Sequence, residues 1–287
     1  MGERKVSGSV KVTDRDRLLD QLRGAGAKED AEIDLAETAL VLAALDRPDN
    51  RIDDYRRHLA ALAEDTASLA HDVVGLNDKV AAIRDVIFGL HGYAGDIETY
   101  EDMRNANLMS VIDRRKGLPV ALGILCIHVA RSQGWDIEGV NFPSHFLIRL
   151  RSSGESAIVD PFNAAQVLDE PALRSRLKEL HGADVELDPS NYRPVGNRDI
   201  LLRLQNNIKI RALRDKDTNR ALNVIESMVY VAPKQGDLRL EMAVLQAQTG
   251  KLKSSIRVLE EFLDLPGEAE RHDEAAKLLQ GLKGKLN

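Results

Sequence analysis

The chain has 287 residues, with 40 Lys and Arg against 46 Asp and Glu, a formal net charge of −6 and a single cysteine. That length is enough for two ordinary domains with real cores, and the mildly acidic balance makes nucleic acid a poor default partner, because backbone binding wants a clustered basic face. One cysteine allows no disulfide framework; with no leader-like start and no apolar run of about 18 residues, the expectation is a protein of the reducing cytoplasm with no membrane partner.

Residues 1–29 are set apart as an N-terminal extension, since the alternation from Val6 to Val12 is too short to define a strand. Ile33, Leu35, Ala36, Ala39, Leu40 and Ala43 recur at helical spacing up to Pro48, which cannot continue a helix. A second helix is expected in "IDDYRRHLAALAEDTASLA". A third is expected in "NDKVAAIRDVIFGLHGY", capped by Asn77 or Asp78, with Val80, Ile83, Ile87 and Leu90 as its apolar stripe. The basic run Arg114 to Lys116 reads as a solvated helix end. The apolar stretch from Pro119 to Ser132 then reads as a helix holding Cys126.

After it the texture changes. "IEGVNF", "HFLIRLR" and "SAIVDPF" are short, rich in β-branched and aromatic residues, and separated by turn signals, which is the grammar of antiparallel strands. If "SSGE" is a four-residue loop, Arg151 pairs with Ser156 and His145 with Phe162, leaving Asp160 diagonal to His145; a two-residue loop at Ser152 and Ser153 would set His145 directly opposite Asp160. Both put His145 and Asp160 on one face. Leu173 to Leu180 reads as helix, and Pro189, Pro194 and Gly196 mark a domain boundary, giving a core over 30–194 and a tail over 195–287. In the tail, an offset of 34 residues aligns Ala221 with Ser255, Val224 with Val258 and Ile225 with Leu259, the tetratricopeptide period. Pro233 stands where the repeat's second helix ends, matched by Pro266 and Gly267 in the second copy. Two such units expose an apolar face and should dock on the preceding domain.

The words "RRKGLPV", "GVNFPSHF" and "VDPFN" together resemble the transglutaminase-like core of bacterial SirB-type proteins, which also carry N-terminal helices and a tetratricopeptide tail. The resemblance implies an α+β fold with a papain-like core and small antiparallel sheet. In active members of the wider class it implies a Cys at a helix N-terminus, with a His and an Asp on neighbouring strands. Such a thiolate is activated by the helix N–H groups and an imidazole partner, which a carboxylate orients. His145 and Asp160 match the second and third roles; the nucleophile's place, two residues after Gly117, holds Pro119.

Proline brings no nucleophile, although its fixed φ suits a first helical turn. Cys126 lies seven residues further on, about 10 Å down the same helix at about 1.5 Å per residue, beyond hydrogen-bond reach of His145. The pattern therefore points to a fold whose nucleophile has been lost, acting in protein interaction or regulation on a protein or peptide partner. The degenerate triad is Pro119, His145 and Asp160, and Asn141, His145 and Asp160 are candidates for a retained binding set. The alternative is a cysteine-type hydrolase or acyl transferase using Cys126, or a hydroxyl such as Ser110 or Ser144, with His145 and Asp160. No cofactor is expected: the histidines show no four-residue pairing for a metal, and no phosphate-binding glycine loop occurs.

Overall fold

The computed structural model describes residues 13–71, 73–182, 184–264 and 269–286. The alternation from Val6 to Val12 and the Pro266 and Gly267 of the second repeat lie outside the described residues.

Four helices open the described chain: α1 (Asp14–Ala27), α2 (Leu35–Asp46), α3 (Ile52–Leu69) and α4 (Leu76–Arg84). Part of the stretch set aside as an extension is therefore structured. Thr13 and Asp16 close a capping box at the start of α1, and Leu22 is fully buried where the helix packs on α2 and on the repeat tail. The cap of α4 is Gly75, with Asp78 reaching back to its N–H, rather than Asn77 or Asp78 itself. Val80, Ile83 and Ile87 are buried as expected, but Leu90 is 65% exposed. The reason is a π-helical turn over Asp85–Leu90, which breaks the 3.6-residue register before the helix ends.

A two-residue parallel pair, β1 (Ala94–Gly95) with β2 (Lys116–Gly117), brackets α5 (Leu108–Arg114). Between them, Arg114 is ion-paired at 2.8 Å with Asp96, itself 1% exposed. Arg115 adopts a left-handed φ of 57° and donates to the Tyr93 hydroxyl. These arginines are built into the fold and do not form a solvated helix end, because buried polar groups across the loop claim their guanidinium groups.

Helix α6 (Pro119–Ser132) is the centre of the core. Pro119 occupies its first turn, and the helix is apolar all round because α2, α3 and α4 cover one side and the sheet the other. The sheet has the order β6 (Gln166–Leu168), β5 (Glu155–Asp160), β4 (His145–Ser152), β3 (Asp136–Phe142), β7 (Pro194–Val195), all antiparallel. Ile137, Phe146, Ile148, Leu150 and Val159 join the α6 core, while Val140, Phe142 and Leu147 form a second cluster with Leu173 and Leu177 of α7 (Glu170–His181). Gly123 lets the Phe146 ring lie on α6: a Cβ there would stand 2.4 Å from the ring.

The hairpin between β4 and β5 has the pairing Arg151 with Ser156 expected of the longer loop, but Ser152 and Glu155 also pair, so the turn is Ser153 and Gly154 alone. Both have positive φ, 52° and 85°, the backbone a tight twisted hairpin requires. The proline-rich stretch read as a domain boundary includes an edge strand. Its Pro194 and Val195 pair with Val140 and Gly139 as the edge strand β7, a place that tolerates proline's missing donor.

The tail is α8 (Asn197–Arg214), α9 (Thr218–Val231), α10 (Gly236–Gln248), α11 (Leu252–Leu263) and α12 (Ala269–Leu286). Helices α9 and α11 begin 34 residues apart, and the aligned Ala221 and Ser255 are both fully buried at helix crossings. The tail docks as a repeat pair must. Ile200, Leu201 and Leu204 of α8 belong to the same continuous core as α6, and the Asp30 carboxylate accepts from the first N–H groups of α8, Asn197 at 2.8 Å and Arg198 at 2.9 Å.

Candidate functional site: a buried histidine–aspartate pair

β4 starts at His145, directly after the tight turn at Pro143 and Ser144, and β5 ends at Asp160 on the neighbouring strand. The ladder register makes them diagonal neighbours. His145 Nε2 lies 2.9 Å from Asp160 Oδ1; His145 is 9% exposed and Asp160 has no exposed surface. An ionised carboxylate only accepts, so Nε2 carries the proton and Nδ1 is the free ring position, with no hydrogen bond among the described residues.

Asp160 is held by more than its histidine. It caps the 3₁₀ turn Pro161–Asn163, accepting from the Phe162 N–H at 2.9 Å, while Asn163 Nδ2 and the Arg176 guanidinium of α7 reach its other oxygen at 2.7 and 3.1 Å. Burial alone would raise this carboxyl. The hydrogen bond and charge of His145, then Asn163 and the Phe162 N–H, outweigh that and leave it below the usual carboxylate range.

The start of α6 is closed. Pro119 to Ile127 are all buried, and Cys126 is completely enclosed, with burial pushing its thiol well above the ordinary range. The Phe162 ring stands edge-on to His145 with centroids 6.2 Å apart, and its other neighbour is Tyr100 at 5.7 Å. Gly95, paired with Gly117 two residues before Pro119, leaves room for that ring: a Cβ on Gly95 would lie 2.7 Å from it. An aromatic wedge therefore adjoins the imidazole near the beginning of α6.

The other candidate residues are not gathered here. Asn141 pairs across the ladder with Phe146, so it faces the α6 and α8 side, where its Oδ1 accepts from Arg203; His145 shares the opposite face with Leu147. Ser110 accepts a hydrogen bond from Arg47 at 3.3 Å, and the Ser144 hydroxyl contacts His181 Nε2 at 3.2 Å rather than His145. Sequence reasoning missed two members. Asn163 had a signal, an amide three residues after the aspartate in "VDPFN"; Arg176, sixteen residues on and in another element, had none.

The fold and this pair define a transglutaminase-like core joined to helical repeats. A profile of the Transglutaminase-like superfamily matches residues 53–206, and a tetratricopeptide repeat profile matches 208–280. The chain belongs to the transglutaminase-like superfamily, as a SirB-type member with C-terminal tetratricopeptide repeats. It is 29% identical to the UPF0162 protein of Xylella fastidiosa over 86% of this chain and 89% of that one, and 30% identical to the UPF0162 protein of Vibrio cholerae over 70% and 74%. It is 24% identical to protein SirB1 of Salmonella typhimurium over 66% and 70%. Among solved structures, menin aligns over 93% of this chain and 69% of its own with a TM-score of 0.47 and 9% identity, a likeness too slight to bear on fold or function.

Proposed function

We propose that this is a non-catalytic member of the superfamily, a cytoplasmic protein that acts by binding or regulating other proteins through its repeat tail and what remains of the catalytic cleft. Tetratricopeptide repeats indicate protein interaction in general. The observation that carries the non-catalytic reading is Pro119, which has no nucleophile and fills the first turn of α6 where a thiolate would have met the helix N-terminus. The enclosed Cys126, with its raised thiol, supports it further. Asp160, bound to three donors besides His145, has a structural occupation independent of catalysis.

A thiol-directed probe near neutral pH tests this. The folded chain should leave Cys126 unlabelled, full labelling should need denaturant, and His145→Ala should not change either result. Rapid labelling of the folded chain, blocked by His145→Ala, would mark a working thiolate and overturn the proposal. Partner binding is best tested by surface substitution. Cutting the chain after Gly196 would strip Ile200, Leu201 and Leu204 from the common core.

A further inference from the structure

On the side of the sheet away from His145, the core and the repeats leave an open cleft of about 490 Å³ between β3, α8 and the start of α10. Phe146, Ile200, Met228 and Leu238 supply its apolar lining. Two cations enter it from α8. Lys209 is ion-paired with Glu241 at 2.6 Å, but no carboxylate of the described residues is ion-paired with Arg203. Arg203 donates to the Asn141 amide oxygen and sits 5.8 Å from the centre of the Phe146 ring. One of its five N–H donors is thereby used.

Desolvating a charge is costly until an anion compensates it, and Arg203 is partly buried with one neutral amide as its hydrogen-bond acceptor. Burial pushes Arg203 below the ordinary guanidinium range. Asp199, one turn earlier in α8, also lines the cleft; it makes no ion pair with Arg203, and burial together with Asp30 pushes its carboxyl up. Two turns beyond Arg203 on the same side of α8, Ile210 is 47% exposed and Leu213 beside it is 38% exposed. Seven helical residues separate Arg203 from Ile210, about 10 Å at 1.5 Å per residue, which is about three residues of extended chain.

We propose that this cleft and the adjoining side of α8 dock an extended segment of a partner protein, with an Asp or Glu side chain on Arg203 and an apolar side chain about three residues away against Ile210 and Leu213. The proposal deepens the interaction reading above and rests on it. The unpaired Arg203, the apolar lining and the exposed pair supply the charge and shape complementarity that such a segment needs.

The test pans a random dodecapeptide phage library on the full chain and measures the selected peptides by fluorescence anisotropy. Selected peptides should share an acidic residue about three positions from an apolar one. Replacing that acid by its amide, or Arg203 by Met, should each weaken binding about tenfold or more, and the two changes together should weaken it no further. Arg203→Lys should restore part of the affinity. The peptide substitution keeps the test valid should Arg203→Met disturb folding, which a thermal melt would register. Peptides that bind Arg203→Met and the parent equally, or that lose affinity additively in the double change, overturn this docking site and leave the broader interaction reading standing. No enrichment of any peptide counts against both.

Discussion

Asp160→Ala is the sharpest probe of what the histidine–aspartate pair is for. The carboxylate has no exposed surface and accepts from four donors: His145, the Phe162 N–H, Asn163 and Arg176. Removing one member of a buried charge pair typically costs about 3–5 kcal/mol. Arg176 keeps 31% of its side chain in contact with solvent and can partly rehydrate, so about 3–4 kcal/mol is expected. His145→Ala should cost less, about 1–2 kcal/mol, because Asp160 retains its other three donors. Urea unfolding followed by Trp135 fluorescence reads both, as shifts in midpoint at constant slope. The pH dependence has a definite sign. Asp160 is held below the usual carboxylate range, so its contribution is present above the unfolded value near 4 and is lost as pH falls through the lower folded value. The gap between parent and Asp160→Ala should therefore be full at neutral pH and close only on strong acidification. A variant within about 0.5 kcal/mol of the parent, or an equal cost for His145→Ala, would refute the view that Asp160 ties the structure together.

Two other perturbations test the rest of the fold. His58 is held down to about 4 by burial, then by the charges of Arg115 and His91, with Asp65 opposing them; the Tyr93 hydroxyl and the Arg115 guanidinium both adjoin its Nε2. Between the unfolded value near 6.5 and that folded value only the unfolded chain takes the proton. Stability should thus fall by about 1–2 kcal/mol from pH 7 towards 4, allowing for solvent screening at this half-buried site, and His58→Gln should flatten the slope measured between pH 7 and 5. An unchanged slope in that variant would be the contrary result. Gly26→Ala would bring a Cβ to 2.0 Å from the Tyr230 carbonyl oxygen, so α1 must move off α9. Limited proteolysis should then cut within or just after α1 well before the rest of the chain, and a protection pattern identical to the parent would show that α1 does not depend on this contact.

Much of this architecture can be read from local pattern. The 34-residue offset places α9 and α11, and β-branched runs between turn signals place β3, β4 and β5. The His145 and Asp160 pairing was legible because strand alternation leaves them on one face in either of the even loops considered. What escaped depends on contacts distant in sequence. Arg176 reaches Asp160 from α7, Arg114 reaches Asp96 across a loop, and the proline-rich stretch read as a domain boundary supplies an edge strand. Asn141 escaped for a different reason. Its proximity to His145 in the chain suggested a shared site, but the tight turn at Pro143 and Ser144 pairs Phe142 with His145, so Asn141 falls on the opposite face.

That turn explains how one short motif can serve two surfaces. "GVNFPSHF" sends His145 to the α7 side, where it completes the shell around Asp160, and sends Asn141 and Phe146 to the α8 side, where both contact Arg203. The first set is enclosed and its carboxylate is already well supplied with donors, whose hydrogen bonds link the end of β5, the 3₁₀ turn and α7. The second set borders an open cleft, also lined by Asp199 and Asp237, and contains a guanidinium that makes no ion pair among the described residues. For a histidine and an aspartate held as these are, burial is offset by packing and hydrogen bonds. The burial of Arg203 is offset in part by its hydrogen bond to Asn141 and its place near the Phe146 ring, and a carboxylate arriving in the cleft would supply the ion pair it lacks among the described residues. The charge that the proposed docking would use therefore lies on the face turned away from the His145 and Asp160 pair.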